Sequence, residues 1–214
     1  MVPVVKNILV TGLSCTGILL FNRSLTEALI DRGYAVTTKD CLGTAHRGTL
    51  VITEIRYADG DLTFPNFIPY GEADLLVGFE PLETLRLGAL YAKRGGVVIM
   101  NTTRVTPSFQ SIGRDIFSDQ PRPLGYPSNE WIVRHLSDLG ASVYSLDATR
   151  EAEAVGHYLG MNMVMLGATL ASAQTPVTMA EVERKVRDRS PKGTAETNLR
   201  ALEAGVAAFH RSAA

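Results

Sequence analysis

Near the start of the chain the hydrophobic period switches twice. Asn7-Ile8-Leu9-Val10-Thr11 is a short apolar run closed by Gly12, the pattern of a strand buried on both faces, as parallel strands are. From Gly17 to Arg32 the apolar residues Ile18, Leu19, Phe21, Leu25, Leu29 and Ile30 recur at helical spacing. Gly33 stands where a C-cap glycine belongs. Ala35-Val36-Thr37-Thr38 reads as a second strand. This opening predicts a β-α-β unit whose right-handed crossover makes its two strands parallel.

Leu50 to Tyr57 alternates, and Asp59-Gly60 is a hairpin signal before Leu62-Thr63-Phe64, so an antiparallel hairpin is expected after the second strand. Leu75 to Phe79 is another buried run. Pro81 opens a helix ending near Lys93, and Gly95-Gly96 leads into the strand Val97 to Asn101. Thr102 to Ser128 is rich in Pro, Ser and Gly and reads as mostly loop, long enough to be functional or partly mobile. A helix around Trp131 to Leu139 and a strand Val143 to Leu146 follow, and the rest is helical. Thr178 and Glu181 have capping-box spacing. The expected fold is α/β: a three-layer Rossmann-like domain over residues 1–214, with an inserted β-hairpin and a helical C-terminal extension from about residue 149.

Composition narrows the function classes. With 214 residues, 45% hydrophobic and 20% charged, the chain has a soluble globular profile and enough length for a sizeable core. A net charge of -1 gives no reason to expect nucleic acid or an acidic membrane as partner. Two cysteines, Cys15 and Cys41, cannot build a disulfide framework and are too few for an iron–sulfur cluster. They suggest a reducing compartment. The first residues lack the pattern of a signal peptide, and Leu159 to Leu170, interrupted by Asn162, is shorter than the ~20 apolar residues a bilayer needs. A cytoplasmic protein is expected.

In open α/β sheets ligands bind at the carboxyl ends of the strands. That singles out the loop Gly12–Gly17, the segment after the second strand, Glu80, and Asn101-Thr102-Thr103. As a dinucleotide fingerprint the loop has Ser14 where the middle glycine of G-x-G-x-x-G belongs, although Asp40 stands where the acidic ribose partner is expected. A smaller phosphate still fits the N–H groups of a helix N-terminus. As a nucleophile site, Cys15 or Ser14 sits on the corner, but Thr16 and Gly17 put the G-x-S-x-G elbow out of register. The plainer reading is a small residue tucked against the sheet.

Cys41 to Thr49 is the second feature. Gly43 and Gly48 bracket Thr44, His46 and Arg47, which suits an anion clamp with His46 as the candidate base and Arg47 as forked donor, or a structural turn in which Arg47 pairs a carboxylate. No group has metal-ligand spacing. Gly160, Asn162, Gly167, Ala168 and Ala171 permit close helix packing, and a buried Asn162 requires a partner. His135, His157 and His210 read as surface or packing residues.

Taken together, these stretches resemble the γ-type domain of the 2-oxoacid:ferredoxin oxidoreductases, above all its indolepyruvate small-subunit branch. Asn7 to Gly12 is similar to the family's first strand, and Gly43-Thr44-Ala45-His46-Arg47-Gly48 to its Gly-x-x-Gln-Arg-Gly-Gly turn. Glu72 to Glu83 is similar to its most recognisable run, followed by Gly95 to Thr102, then by Asn162, Leu166-Gly167-Ala168, Asn198 and Gly205. The order and spacing carry the likeness.

The resemblance implies a non-redox subunit that binds no cofactor alone and is inactive by itself. A large partner would hold thiamine diphosphate and iron–sulfur clusters, decarboxylate an aryl 2-oxoacid, and pass electrons to ferredoxin or another acceptor. Coenzyme A would take the acyl group at the interface. The implied site residues are Gly12, Leu13, Ser14, Cys15, Thr16, Gly17, Gly43, Thr44, Arg47, Glu80, Asn101 and Asn162, with His46 and Arg47 as catalytic candidates. The family's Gly-x-Gly-Gly-Gln-Gly loop is rewritten here as Gly12-Leu13-Ser14-Cys15-Thr16-Gly17, and His46 and Thr49 replace Gln and Gly. These changes imply an altered substrate or acceptor, or a structural subunit. A stand-alone NAD(P)-binding oxidoreductase and an α/β interaction module are the other classes.

Overall fold

The computed structural model describes residues 4–42, 49–105 and 125–213. Strands β1 (Lys6–Leu13), β2 (Tyr34–Leu42), β3 (Leu50–Asp59), β4 (Ala73–Gly78), β5 (Ala92–Asn101) and β6 (Ser142–Leu146) form one sheet in the order β2-β3-β1-β4-β5-β6. β1, β4, β5 and β6 are parallel neighbours, whereas β3 runs antiparallel to both β1 and β2. The helices are α1 (Ile18–Asp31), α2 (Pro81–Tyr91), α3 (Asn129–Asp138), α4 (Ala148–Ala154), α5 (Met161–Ala171), α6 (Met179–Arg189) and α7 (Ala195–Ala213).

The expected hairpin is corrected. Leu62-Thr63-Phe64 forms no strand; β3 pairs instead with β2, from Tyr34↔Asp59 to Leu42↔Val51. Its other edge pairs with β1 along that strand's whole length, so β1 and β2 point the same way without touching. The physical reason is length: β3 satisfies a full ladder on both edges, which a three-residue run after Gly60 cannot match. Phe64 turns onto the sheet instead, with the Arg56 guanidinium 5.6 Å over its ring.

Alternation along β1 sends Ile8 and Val10 to one face and Leu9 to the other. The first face packs on α1 and α5–α7 through Phe21, Leu25, Val164 and Leu202; the second packs on α2 and α3 through Leu87, Ile132 and Leu136. The result is the expected three layers. The C-terminal helices belong to the first of these layers: α5 packs between α1 and α7, and a Cβ on Gly167 would lie 1.9 Å from the Leu202 carbonyl oxygen. The Thr178–Glu181 capping box opens α6.

Candidate functional site at the carboxyl edge

The parallel strands β1, β4 and β5 end side by side, which brings the Gly12–Gly17 loop, Phe79–Glu80 and Asn101 to one edge. Leu13↔Leu50 and Leu42↔Val51 set the end of β2 and the start of β3 level with them. The turn residues Gly43, Thr44, His46 and Arg47 lie outside the described residues.

The β1–α1 loop is fastened by its own backbone. The Ser14 N–H donates to the Thr49 carbonyl at 2.8 Å, and the Thr16 hydroxyl donates to the Leu13 carbonyl at 2.7 Å. Gly12 packs against Phe79. Gly17 has φ +80, and an added Cβ would come within 2.5 Å of the Asn162 amide nitrogen. That amide donates to the Gly17 carbonyl at 3.2 Å, so α5 holds the corner from which α1 starts. Cys15, at φ 70, is exposed. The first turn of α1 has neither a side-chain cap nor an acidic residue, so no side chain caps its leading N–H groups.

Glu80 is buried and caps α2 by accepting from the Glu83 N–H at 2.9 Å. Its other oxygen accepts from the Tyr126 hydroxyl and from the Val105 N–H at 3.4 Å. Tyr126 in turn accepts from the Leu82 N–H at 3.0 Å, and Arg104 lies 5.5 Å over its ring. Burial pushes the Glu80 carboxyl above its ordinary value, against the opposing pull of these hydrogen bonds. Burial and the neighbouring carboxylate likewise raise the Tyr126 phenol.

Asn101 is fully buried, and its amide donates to the Phe79 carbonyl at 3.0 Å and to the Met161 sulfur at 3.0 Å. Its oxygen accepts from the Ala148 N–H at 3.0 Å and the Thr103 N–H at 3.4 Å. Four partners saturate an asparagine side chain. Asn101 therefore ties four chain segments together, and this edge offers a ligand mainly backbone groups and the exposed loop.

Thr103, Tyr126 and Asp147 complete the edge, with the Thr103 hydroxyl 2.8 Å from Thr149 Oγ1 and 3.2 Å from Asp147. Sequence reasoning singled out Thr103 but passed over Tyr126 and Asp147: Tyr126 falls in a stretch read as loop, and no local spacing links it to Glu80. Asp40 accepts from Asn22 at 3.2 Å and Thr53 at 2.5 Å, which commits the expected ribose partner to α1 and β3. His135 stacks on Trp131 and His157 bonds Asn198, both packing roles. Among the described residues no three His, Cys, Asp or Glu side chains are grouped to hold a metal ion, and no helix is long and apolar enough to cross a membrane.

Residues 7–208 match the family model of the pyruvate ferredoxin/flavodoxin oxidoreductases. An indolepyruvate oxidoreductase subunit IorB from Methanothermobacter thermautotrophicus is 33% identical, covering 96% of this chain and 98% of that one. The subunit of the same name from Thermococcus kodakarensis is 30% identical over 94% and 95%. The fold is that of the gamma subunit of a keto/oxoacid ferredoxin oxidoreductase from Geobacter sulfurreducens, with TM-score 0.69 at 20% identity and 98% of both chains covered. It also matches 31% of a 2-oxoglutarate:ferredoxin oxidoreductase chain from Magnetococcus marinus solved with 2-oxoglutarate, coenzyme A and succinyl-CoA, with TM-score 0.66 at 16% identity. With one family model covering nearly the whole chain and relatives aligned from end to end, this chain belongs to the pyruvate ferredoxin/flavodoxin oxidoreductase family.

Proposed function

We propose that this chain is the small, non-redox subunit of a cytoplasmic thiamine-diphosphate-dependent oxidoreductase acting on aryl 2-oxoacids of the indolepyruvate type. The observation that carries the proposal is the end-to-end match to relatives named as indolepyruvate oxidoreductase subunits. In the overall reaction the 2-oxoacid loses carbon dioxide. Its acyl carbon joins the coenzyme A sulfur as a thioester, two electrons pass to the acceptor, and the thiol proton is released to solvent. Thiamine diphosphate and iron–sulfur clusters supply the decarboxylation and electron transfer. With two cysteines in the sequence, those groups are assigned to a large partner subunit.

This chain's share is to shape one wall of the acyl-acceptor site as a single γ-type domain over residues 1–214. The uncapped N-terminus of α1 suits an anionic group such as the phosphates of coenzyme A. Gly17 and Asn162 fix where that helix starts, while Glu80 and Asn101 hold the neighbouring strand ends in place. Ser14, Cys15 and Thr16 are the side chains set on the loop toward the acceptor. Gly43, Thr44, His46 and Arg47 are candidates for the same role from the sequence, His46 and Arg47 for anion binding and proton handling.

The test is co-purification of the natively expressed chain, followed by assay of the complex with indolepyruvate, coenzyme A and ferredoxin. A large subunit with thiamine diphosphate and iron should accompany it, and removal of this chain should abolish turnover. A chain that elutes alone and oxidises a 2-oxoacid by itself overturns the proposal. Tight micromolar NADPH binding by the isolated chain would favour the dehydrogenase reading.

A further inference from the structure

At the opposite, amino end of the sheet lies an open cavity of about 370 Å³. The register builds it. Lys6 pairs with Tyr57, and Tyr34 pairs with Asp59. Directly opposed residues, and those two apart on one strand, share a face. Lys6, Tyr34, Tyr57 and Asp59 therefore project from three adjacent strands to one side, beyond the end of the helical layer. The α5–α6 connection closes the space with Thr175 and Pro176.

Tyr34 and Tyr57 meet edge to face, with ring centroids 5.5 Å apart, and form an aromatic wall. The Tyr57 hydroxyl donates to the Gln174 carbonyl at 3.3 Å, which fixes its ring. Two groups of opposite charge are under-used. The Asp59 side chain makes no hydrogen bond or ion pair among the described residues, its backbone being paired with Tyr34. Lys6 has a single contact there, 3.5 Å from Asp74, a carboxylate already served by Lys93 at 3.2 Å and the Asn7 N–H at 3.0 Å. The wall also includes the buried Thr175, whose hydroxyl has no hydrogen-bond partner. Ala173 in the same connection has φ 55, a conformation that costs energy for a residue with a Cβ.

A cation and a carboxylate set diagonally across an aromatic wall match a ligand with both charges and a flat apolar part. A phosphate dianion would meet Asp59, and a divalent cation would find one carboxylate beside an ammonium. We infer that this cavity binds a small zwitterion, an α-amino acid with an aromatic side chain. Its ammonium pairs with Asp59, its carboxylate with Lys6, and its ring lies against Tyr34, Tyr57 and Pro176. The site lies at the far end of the sheet from the acyl-acceptor edge and does not rest on the function proposed for that edge.

Calorimetric titration of the purified full-length chain, alone and in its native complex, with L-phenylalanine tests the inference. Phenethylamine lacks the carboxylate and hydrocinnamate the ammonium, and both serve as controls. L-Phenylalanine should bind saturably at one site per chain, with each control weaker by about tenfold or more. Asp59→Asn and Lys6→Gln should each weaken L-phenylalanine by about tenfold while leaving the melting temperature unchanged. Absence of saturable binding overturns the inference, as does either control binding as tightly as L-phenylalanine or either folded variant binding like the wild type.

Discussion

The two ends of the sheet use polar residues in opposite ways. At the carboxyl edge Glu80, Asn101 and Asn162 are buried and bonded to the protein itself, Asn101 to its full capacity. At the amino edge Lys6 and Asp59 are at the surface with bonding capacity in hand. The difference teaches that a polar residue at a strand end is not by that fact a ligand contact. The carboxyl edge is a braced scaffold that offers backbone and loop, whereas the amino edge offers side chains.

The sharpest break of this contrast is Asn101→Leu. It strands the Phe79 carbonyl and the Ala148 N–H in the interior, and should cost about 2–4 kcal/mol in urea unfolding. A loss below about 1 kcal/mol would mean that the edge is not braced by this side chain. Gly17→Ala comes next. Its positive φ and the contact with Asn162 predict about 1–3 kcal/mol of destabilisation together with reduced turnover of the complex.

Glu80 sharpens the contrast through pH. Because burial raises its carboxyl in the folded state, the folded protein holds that proton more tightly than the unfolded chain does. Its contribution is complete below the ordinary carboxylate value and is lost as pH rises through the raised one. Wild type should therefore lose stability relative to Glu80→Gln as pH climbs from acidic toward neutral. A gap in urea midpoint that stays flat or widens with pH would show that the three hydrogen bonds outweigh burial.

Smaller effects are expected where side chains are not part of the brace. Thr16→Gln loses the hydroxyl bond to the Leu13 carbonyl, and Cys15→Gly relieves a positive φ. Both restore the residues the family resemblance predicts, and they should lower and raise stability respectively by no more than about 1 kcal/mol while shifting the KM for the acyl acceptor several-fold. An unchanged KM and substrate preference would count against a loop altered for function. Asp59→Asn should be the mildest, within about 0.5 kcal/mol in thermal unfolding.

Much of this fold was legible because its strands and helices advertise their period. β1, α1, β4 and β6 stand where the apolar runs and glycine punctuation put them, whereas β5 begins at Ala92 and carries within it the Gly95-Gly96 pair that reads as the turn before Val97. What alternation cannot encode is which neighbour a strand chooses, so β3 was paired forward with Leu62-Thr63-Phe64 instead of back with β2. The same limit governs the site. Glu80, Asn101 and Asn162 stood out as polar residues in apolar company, but their partners Tyr126, Ala148 and Gly17 are far away in the chain. A buried polar group signals that a partner exists, and only the tertiary fold says whether that partner is protein or ligand.

The two faces of the sheet add a last consequence. β1 feeds α1 on one face, while its parallel neighbour β4 feeds α2 on the other. Between two such strands the chain diverges, and the divergence is flanked by the N-termini of α1 and α2, the positive ends of their dipoles. One of those ends is capped from within, because the Glu80 side chain accepts from the Glu83 N–H of α2. The other, at α1, has no such cap. The carboxyl edge is thereby asymmetric: of these two helix N-termini, only the one beside Gly12–Gly17 lacks a side-chain cap.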